Sequence, residues 1–455
     1  MGEYFFRFLR MVTAYKAKLL CSGIFVSGRD AEELLNSDLA VDGLWPLRFL
    51  RAVVDVDQRT VRVSFLGGFE SVAVYRAGLG STLVVESTVE RLKQQSLCFQ
   101  KAFVQEKARE SFCEQGLSVA DEVPCYVDGV RLQRAVDDAF VETNRRRLKR
   151  TRAVVVIHKG EIVAERYAAG FSAQLPLLGW SMAKSVVSAL VGILVKQGKL
   201  ALDSKDLLAE WREQPDDPRR AITVDHLLRM SSGLVFSEDY SSPLSDVTTM
   251  LFQRGDGAAY AAQLPLQHEL GSAFCYAGGT TVLLCRIIRE AVGKALVDYW
   301  DFAQRELFER LGMMSAVLEP DAAGTFVGSA FMYATARDWG KLGLLYLQDG
   351  CWEVNGKWER ILPVGWVRYS TAASETADFY GAHFWRGVPN SFTAKERDDS
   401  RWPQGAYLAA GYQGQFMTVV PQHDLVVVRM GLSQRQHSWD QVGFIASVRR
   451  CFSNT

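Results

Sequence analysis

The 455-residue chain has no apolar run of 18 or more residues, no Cys-x-x-Cys pair and no net charge. The first absence argues against a membrane-spanning helix, because arginines and lysines interrupt the N-terminal stretch Met1–Val26. The eight cysteines are scattered, and none forms a cluster with histidine at zinc spacing, so we expect neither a metal nor a cofactor. The balance of 52 basic and 52 acidic residues argues against nucleic acid as an obligate partner.

The N-terminal stretch also lacks the features of a cleaved signal peptide. Its apolar core is interrupted, and Leu20 stands before Cys21 where a lipoprotein signal needs a small residue. We therefore expect a cytoplasmic protein without a transmembrane span, with peripheral association of Met1–Val26 with a membrane as an alternative. The sequence leaves the oligomeric state open.

The chain is poor in histidine, with 6 residues, and has no Gly-x-Ser-x-Gly sequence, which argues against a Ser-His-Asp hydrolase. It does have Ser181 directly before the apolar stretch Val186–Val195, with Lys184 three residues later. At this spacing two helical side chains lie on one face, about 5–6 Å apart at Cβ. A base next to a serine hydroxyl can remove its proton and make it a nucleophile. The pattern predicts a nucleophile–base pair.

Two further motifs follow in order. Tyr276 stands in a loop of small residues before another apolar helix. The segment Ala409–Gln415 then opens the strand Phe416–Val420, which a turn connects to the strand Leu425–Met430 as a hairpin.

On these motifs the chain resembles the penicillin-recognising serine hydrolases, which include class C β-lactamases, D-alanyl-D-alanine carboxypeptidases, family VIII esterases and 6-aminohexanoate-oligomer hydrolases. That family shows Ser-x-x-Lys, then Tyr-x-Asn, then a Lys-Thr-Gly or His-Thr-Gly strand. The segments Thr223–Gly233 and Tyr333–Gly343 also look like family segments. The resemblance covers about residues 150–455.

The resemblance implies a role for each motif. Ser181 would attack the carbonyl carbon, while Lys184 and Tyr276 would share the proton transfers, and the residues leave open which of the two is the base. The backbone N–H groups of Ser181 and Gln415 would form the oxyanion hole. The residues expected to bind the substrate are Tyr412, Gln413 and Gly414.

Two departures from the family pattern bear on the substrate. Gly278 stands where the family has an asparagine, and Tyr412 stands where β-lactamases and peptidases carry a cation for the substrate carboxylate. Losing a charge-assisted contact costs about 1.5–3 kcal/mol. We therefore expect esters or amides without that carboxylate to be better substrates than penicillins or D-Ala-D-Ala peptides.

For the fold we expect the α/β (α+β) class, with a β-lactamase-like antiparallel sheet packed between helices and a helical lobe. The expected domains are an N-terminal extension over residues 1–130, with β-hairpins and an unknown role, and a serine hydrolase domain over residues 131–455. In the extension, the segments Ala52–Asp57 and Thr60–Phe65 form a hairpin, and Val89–Ser111 looks helical.

Three functions remain open on the sequence alone. The first is an ester or amide hydrolase that forms an acyl-enzyme on Ser181. The second is a catalytically silent binding protein on the same fold, and the third is a β-lactamase or D-Ala-D-Ala peptidase. The presence of Ser181, Lys184 and Tyr276 together favours the hydrolase.

Overall fold

The computed structural model describes residues 2–40, 45–95, 117–120, 122–293, 295–389, 399–433 and 438–452. In chain order, its α-helices are α1 (Gly2–Phe25), α2 (Ala31–Asn36), α3 (Gly129–Asp138), α4 (Ala183–Lys196), α5 (Ala209–Arg212), α6 (Val224–Leu228), α7 (Asp246–Gln253), α8 (Gly257–Ala262), α9 (Gly278–Val292), α10 (Leu296–Ala303), α11 (Ala336–Leu347), α12 (Trp366–Thr371) and α13 (Gln441–Arg449). Short 3₁₀ segments lie at Trp45–Phe49, Trp180–Met182, Pro218–Ala221 and Pro421–His423, and a π-helical turn lies at Gln304–Phe308.

The strands, also in chain order, are β1 (Arg51–Asp55), β2 (Thr60–Phe65), β3 (Gly68–Arg76), β4 (Gly80–Leu83), β5 (Ser118–Val119), β6 (Thr151–His158), β7 (Glu161–Tyr167), β8 (Leu177–Leu178), β9 (Val317–Leu318), β10 (Met332–Ala334), β11 (Cys351–Val354), β12 (Lys357–Arg360), β13 (Tyr407–Gly411), β14 (Gln415–Val420) and β15 (Leu425–Gly431).

The chain divides into two compact units, and each consists of several segments. The first takes its residues from the ranges Met1–Arg109, Gln197–Phe302 and Val317–Tyr333. The second takes them from Glu110–Lys196, Ala303–Ala316 and Ala334–Thr455. This division does not coincide with the boundary that we expected at residue 130, because the N-terminal residues pack with segments from the middle of the chain.

The first unit contains an antiparallel sheet of order β1-β2-β3-β4. The expected hairpin is present, since β1 pairs with β2 from Arg51 opposite Ser64 to Asp55 opposite Thr60. Alternate residues of these strands face inward, where Val61 and Ala73 are fully buried, while Val53 is exposed on the other face. The inward face packs against α1, as the alternation of a half-buried sheet requires. Of the segment Val89–Ser111, residues 89–95 are helical and residues 96–111 lie outside the described residues.

Helix α1 belongs to the core of the first unit. Two of its lysines are buried: Lys16 donates hydrogen bonds of 2.8 Å to the backbone oxygens of Leu47 and Leu50, and Lys18 forms an ion pair with the buried Glu319. Since an unpaired buried charge is strongly destabilising, these contacts explain how the apolar pattern can be interrupted inside a core. Among the described side chains of α1, the exposed large apolar residues are Tyr4, Phe5 and Phe6 near its N-terminus.

The second unit is built on a six-stranded sheet of order β13-β14-β15-β6-β7-β5, antiparallel except for the short β5–β7 pair. Helices α3 and α13 cover one face through a core that includes Val156, Val427 and Ile445. Helix α11 covers the other face, where a Cβ on Gly340 would lie 2.4 Å from Ile157 Cδ1. Close approach of this helix to the sheet therefore depends on glycine.

The antiparallel sheet between helices confirms the expected fold class. The predicted C-terminal hairpin is present as β14 and β15, and β6 and β7 form a second hairpin around residues 159–160. Helix α3 ends at Asp138, and the following residues form a loop. In that loop the Glu142 carboxylate accepts hydrogen bonds of 2.8 and 2.7 Å from the backbone of Lys149 and Arg150.

Within the described part of the chain, the structure contains no helix with both the length and the apolar character needed to cross a membrane.

Candidate active site

The segment that carries Ser181 is a single 3₁₀ turn that leads directly into α4 in the second unit. Helix α4 is buried over twelve residues, Ala183 to Leu194, because nearly every side chain on it is apolar or small. The turn is tightly constrained: Trp180 adopts a φ of +50°, and a Cβ on Gly179 would lie 2.3 Å from the Trp339 ring. A bulky residue in the left-handed region is strained, and such strain concentrates at functional sites.

The predicted nucleophile and its neighbour are in contact. The Lys184 Nζ atom lies 3.1 Å from the Ser181 Oγ atom, within hydrogen-bonding distance. Lys184 is only 1 % exposed, whereas Ser181 is partly exposed. The hydroxyl is thus accessible from one side while the amine is enclosed, which is the arrangement that a nucleophile–base pair needs.

A loop of the second unit fixes the first turns of α4 at Lys184. The ring Nδ1 of His383 lies 3.0 Å from the backbone oxygen of Lys184, and the Ser185 hydroxyl donates a 2.7 Å hydrogen bond to the backbone oxygen of His383. Ser188 makes a similar bond of 3.1 Å to the backbone of Ala382. Burial, and secondly the proximity of Lys184, lowers the pKa of His383 to about 3. His383 is therefore neutral near pH 7, and Nδ1 carries the hydrogen that the carbonyl accepts.

This burial predicts a pH dependence of stability. The unfolded chain binds a proton on His383 below its ordinary pKa of 6.5, and the folded chain does not until about pH 3. As the pH falls below 6.5, His383 should therefore lower the free energy of unfolding by up to about 1.4 kcal/mol per pH unit. We expect His383→Asn to flatten this dependence, because asparagine tolerates the φ of +62° at this position and does not titrate. Urea unfolding of both proteins between pH 7 and 5 measures the difference, and equal slopes would contradict the prediction.

The three residues expected to bind substrate form the turn between β13 and β14. Gln413 and Gly414 both lie in the left-handed region, at φ of +63° and +81°. The turn contacts the 3₁₀ segment of Ser181: the Trp180 and Tyr412 rings meet edge to face with centroids 5.5 Å apart, and Trp180 Nε1 donates a 3.3 Å hydrogen bond to Gln413 Oε1. Ser181, Lys184 and this turn are therefore brought together in the second unit.

The side chain of Gln415 supports the turn from inside the sheet. Its amide nitrogen donates to the backbone oxygens of Tyr412 at 3.2 Å and Gly431 at 2.7 Å, and its amide oxygen accepts from Gly431 N at 2.9 Å. The buried Arg429 donates a 2.6 Å bond to the Gly414 oxygen, and burial lowers its pKa to about 9. These bonds hold the turn in one conformation.

Strand β13 presents backbone N–H groups on its outer edge. Leu408 exchanges two hydrogen bonds with Trp385 on that edge, at 2.8 and 2.9 Å. Because hydrogen-bonded pairs alternate along antiparallel strands, Gly411 and its partner Gln415 form a bonded pair on the opposite, inner edge. The Gln415 N–H is therefore engaged in the ladder. In the trans peptide that joins Gly411 to Tyr412, the N–H of Tyr412 points away from the Gly411 oxygen, toward the outer edge.

The last residue of β13 packs against the nucleophile segment. A Cβ on Gly411 would lie 2.1 Å from the backbone oxygen of Gly179, which is closer than any real contact. Glycine is thus required at position 411 by the approach of the Ser181 turn to the strand. Of the two backbone N–H groups, that of Gln415 is engaged in the β13–β14 ladder, whereas that of Tyr412 points to the outer edge of β13.

Tyr276 belongs to the first unit, where it is half-buried just before α9. Its loop is anchored to Met230: the Cys275 N–H donates a 2.8 Å bond to the Met230 oxygen, and the Ala277 N–H lies 3.4 Å from its sulfur. The backbone N–H of Gly278 donates a 2.7 Å hydrogen bond to Glu238 Oε2. The role of Tyr276 stays a prediction.

The Beta-lactamase family model matches residues 136–442. The chain belongs to the β-lactamase family. This result confirms the resemblance drawn from the motifs and the prediction of a β-lactamase-related hydrolase. Among the described residues of this β-lactamase family member, no group of three or more His, Cys, Asp or Glu side chains is arranged to hold a metal ion.

A curated relative and two solved structures are similar to this chain. A 6-aminohexanoate-dimer hydrolase of Paenarthrobacter ureafaciens is 24% identical over 291 residues, which covers 62% of this chain and 72% of that protein. The solved penicillin-binding protein homolog from Caulobacter crescentus shares 18% identity and a TM-score of 0.50, over 72% of this chain and 97% of that one. EstCE1, a hydrolase with promiscuous acyltransferase activity, shares 15% identity and a TM-score of 0.51, over 71% and 98%. At these identities the two solved structures show the same fold.

The motifs missed several residues that shape the site. His383 and Glu238 lie in no motif, and their contacts with α4 and with the Tyr276 loop come from distant parts of the chain. The close packing around the Ser181 turn could have been predicted from Gly179. A glycine directly before Trp180 and Ser181 indicates that another group approaches the backbone closely at this position.

Proposed function

We propose that this β-lactamase family member is a serine hydrolase that cleaves an ester or amide bond through an acyl-enzyme on Ser181. The observation that supports this most directly is the 3.1 Å separation of Ser181 Oγ and the buried Lys184 Nζ. An amine at this distance can take the hydroxyl proton as the oxygen attacks. The relative in Paenarthrobacter ureafaciens is named as a hydrolase of the 6-aminohexanoate dimer, which is compatible with this chemistry.

The proposed reaction has two steps, acylation and deacylation, and each proton that is removed in them is returned. In the first step Ser181 Oγ forms a bond to the substrate carbonyl carbon, its proton passes to Lys184 or Tyr276, and a proton from that pair reaches the leaving alcohol or amine as its bond breaks. In the second step water attacks the acyl-enzyme, gives one proton to the same pair and releases the acid, and Ser181 recovers its proton.

For the oxyanion hole we propose the backbone N–H groups of Ser181 and Tyr412. The sequence led us to expect Gln415 as the second donor, but its N–H pairs with Gly411 inside the sheet. The Tyr412 N–H points to the outer edge of β13, and the preceding residue, Gly411, packs against the Ser181 turn. Each donor in such a site is worth about 10²–10³ in rate.

The substrate-binding side of the proposal depends on the turn Tyr412–Gly414. Tyr412 places a neutral ring against Trp180, where a β-lactamase has a cation. Gly278 places no side chain where the family has an asparagine. We therefore propose a small ester or amide substrate without a carboxylate beside the bond that is cleaved.

This substrate class predicts that p-nitrophenyl acetate and butyrate are better substrates than nitrocefin. The expected gap in kcat/KM is at least about tenfold after each rate is divided by its uncatalysed rate, the size of one lost charge-assisted contact. The measurement uses one preparation for all three compounds. If nitrocefin remains the better substrate after that correction, a β-lactamase replaces the esterase or amidase in this proposal.

The cellular setting is also a proposal. The six described cysteines are all thiols, which is typical of a compartment that keeps thiols reduced. With no net charge on the chain, we propose a cytoplasmic enzyme that acts on small molecules and has no nucleic-acid partner.

A further inference from the structure

The second unit contains a cavity of about 430 Å³ that is lined by residues of α3, of α13 and of the loops next to these helices. Cavities that bind small molecules have volumes of about 300–1,000 Å³, so this one can hold such a ligand. None of its lining residues has a part in the reaction proposed for Ser181. An occupant would therefore be a second ligand, and its binding does not depend on the proposed function.

The lining of the cavity carries more positive than negative charge. Its charged side chains are the cations Arg131, Arg134, Lys149 and Arg450 and the carboxylates Asp138 and Asp440. Four cations against two carboxylates leave two positive charges in excess. Such an excess at the walls of a cavity attracts anions.

Contacts with other groups hold one carboxylate and the lysine of this lining in place. Asp440 caps α13, where its Oδ1 accepts a 2.8 Å hydrogen bond from the Gly443 N–H, and its Oδ2 lies 3.6 Å from an Arg401 nitrogen. Lys149 Nζ donates a 2.8 Å hydrogen bond to the backbone oxygen of Asp138, which leaves its charge without a paired carboxylate at that contact.

The three arginines of the lining are exposed and keep their guanidinium groups available. Among the residues that the structure describes, no carboxylate forms an ion pair with Arg131, Arg134 or Arg450. Arg131 and Arg134 are three residues apart on α3, so they lie on one face of that helix. A guanidinium group presents its N–H donors in a planar fork that matches a carboxylate or a phosphate.

An aromatic surface lies beside these cations. The half-buried Trp439 lines the cavity together with Phe444, and the two rings have centroids 5.0 Å apart. The indole is held from other sides, because Arg429 lies 4.5 Å from its centroid and its Nε1 donates a 2.6 Å hydrogen bond to Gln441 Oε1. A fixed ring of this kind offers a planar apolar group a surface to pack against.

We propose that this cavity binds a small organic anion, a carboxylate or a phosphate attached to a flat apolar body. The arginines of α3 and Arg450 bind the anionic group, and Trp439 and Phe444 contact the apolar body. Neither part of the lining alone predicts this ligand, since the cations select the charge and the rings select the body.

The test is isothermal titration calorimetry of the full-length protein with 2-naphthoate, 2-naphthyl phosphate, acetate and the uncharged 2-acetylnaphthalene. We expect at least one naphthyl anion to bind at least about tenfold more tightly than 2-acetylnaphthalene, the effect of a charge-assisted contact. That anion should also bind at least about tenfold more tightly than acetate, which cannot cover the rings. The tighter of the two naphthyl anions identifies the carboxylate or the phosphate as the preferred group.

Variants show whether the bound anion is in this cavity. Arg134→Gln combined with Arg450→Gln should weaken binding at least about tenfold. Arg449→Gln is the matched control, since Arg449 is next to Arg450 on the last turn of α13 but does not line the cavity, and its affinity should stay within about twofold of wild type. The circular dichroism of all variants should match that of the wild-type protein.

A variant that keeps the charges separates their loss from a loss of packing. Arg134→Lys combined with Arg450→Lys should bind the anion at least about fivefold more tightly than the double glutamine variant. The inference is wrong if 2-acetylnaphthalene or acetate binds as tightly as the naphthyl anions, if none of the compounds binds, or if the double glutamine variant keeps wild-type affinity. Because calorimetry measures binding, a failure to hydrolyse esters would overturn the proposed function and leave this inference standing.

Discussion

Replacing Ser181 by alanine is expected to abolish labelling by a fluorophosphonate and to lower the hydrolysis of p-nitrophenyl esters by at least about 10⁴-fold. The expected loss is large because the hydroxyl oxygen forms the covalent bond to the substrate, and no neighbouring group can replace it. The helix that follows should be unaffected, since Ser181 is partly exposed and α4 is held by the bonds of Ser185 and Ser188 to residues 382 and 383.

Ser447→Ala provides the matched control. Ser447 is an exposed serine on α13 whose hydroxyl donates to the Gly443 backbone, and its loss should change neither labelling nor turnover. Labelling is read by in-gel fluorescence, and the modified peptide is identified by mass spectrometry. Full ester hydrolysis by Ser181→Ala would rule out an acyl-enzyme on this residue. A wild-type protein that neither labels nor hydrolyses would favour the binding protein over the enzyme.

Sequence patterns predict the parts of this site that depend on local geometry. Ser181 and Lys184 are three residues apart on one turn, so their contact follows from helix geometry alone. The hairpins β6–β7 and β14–β15 were also predictable, because each pairs neighbouring strands across a short turn with clear apolar patterning.

Contacts between distant residues could not be predicted in this way. His383 is 199 residues from Lys184, and a single histidine in a glycine- and aromatic-containing loop has no pattern that indicates such a contact. Strand β13 was read as the start of β14, so the pairing of Gly411 with Gln415 was missed. That pairing decides which backbone N–H is engaged, and it moves the proposed oxyanion donor from Gln415 to Tyr412.

The N-terminal helix was the hardest element to interpret. Its arginines and lysines argued against a membrane span and left association with a membrane surface as an alternative. In the structure Lys16 and Lys18 are buried, and their partners are the backbone at residues 47 and 50 and the carboxylate of Glu319. A buried lysine becomes acceptable only when partners are supplied by the fold, so composition alone could not indicate it.

A second large loss of activity is expected when the residues proposed to transfer protons are replaced. Lys184→Ala and Tyr276→Phe should each lower kcat by about 10²–10⁴-fold, the usual contribution of general acid–base catalysis. If the two groups share one proton between them, removing either one disables the same step. The double variant should then be no slower than the slower single variant within about threefold, as is found for residues that act as a unit.

Two matched variants control for loss of a lysine or tyrosine as such. Lys196→Ala removes a lysine from the other end of α4, and Tyr260→Phe removes a hydroxyl that donates to Asp246 in the same unit as Tyr276. Both should retain wild-type kcat, and circular dichroism should show that all five proteins are folded. The rates come from p-nitrophenyl butyrate at saturating concentration. If the double variant instead shows the product of the two single losses, Lys184 and Tyr276 act in separate steps, and one of them alone is the base that activates Ser181.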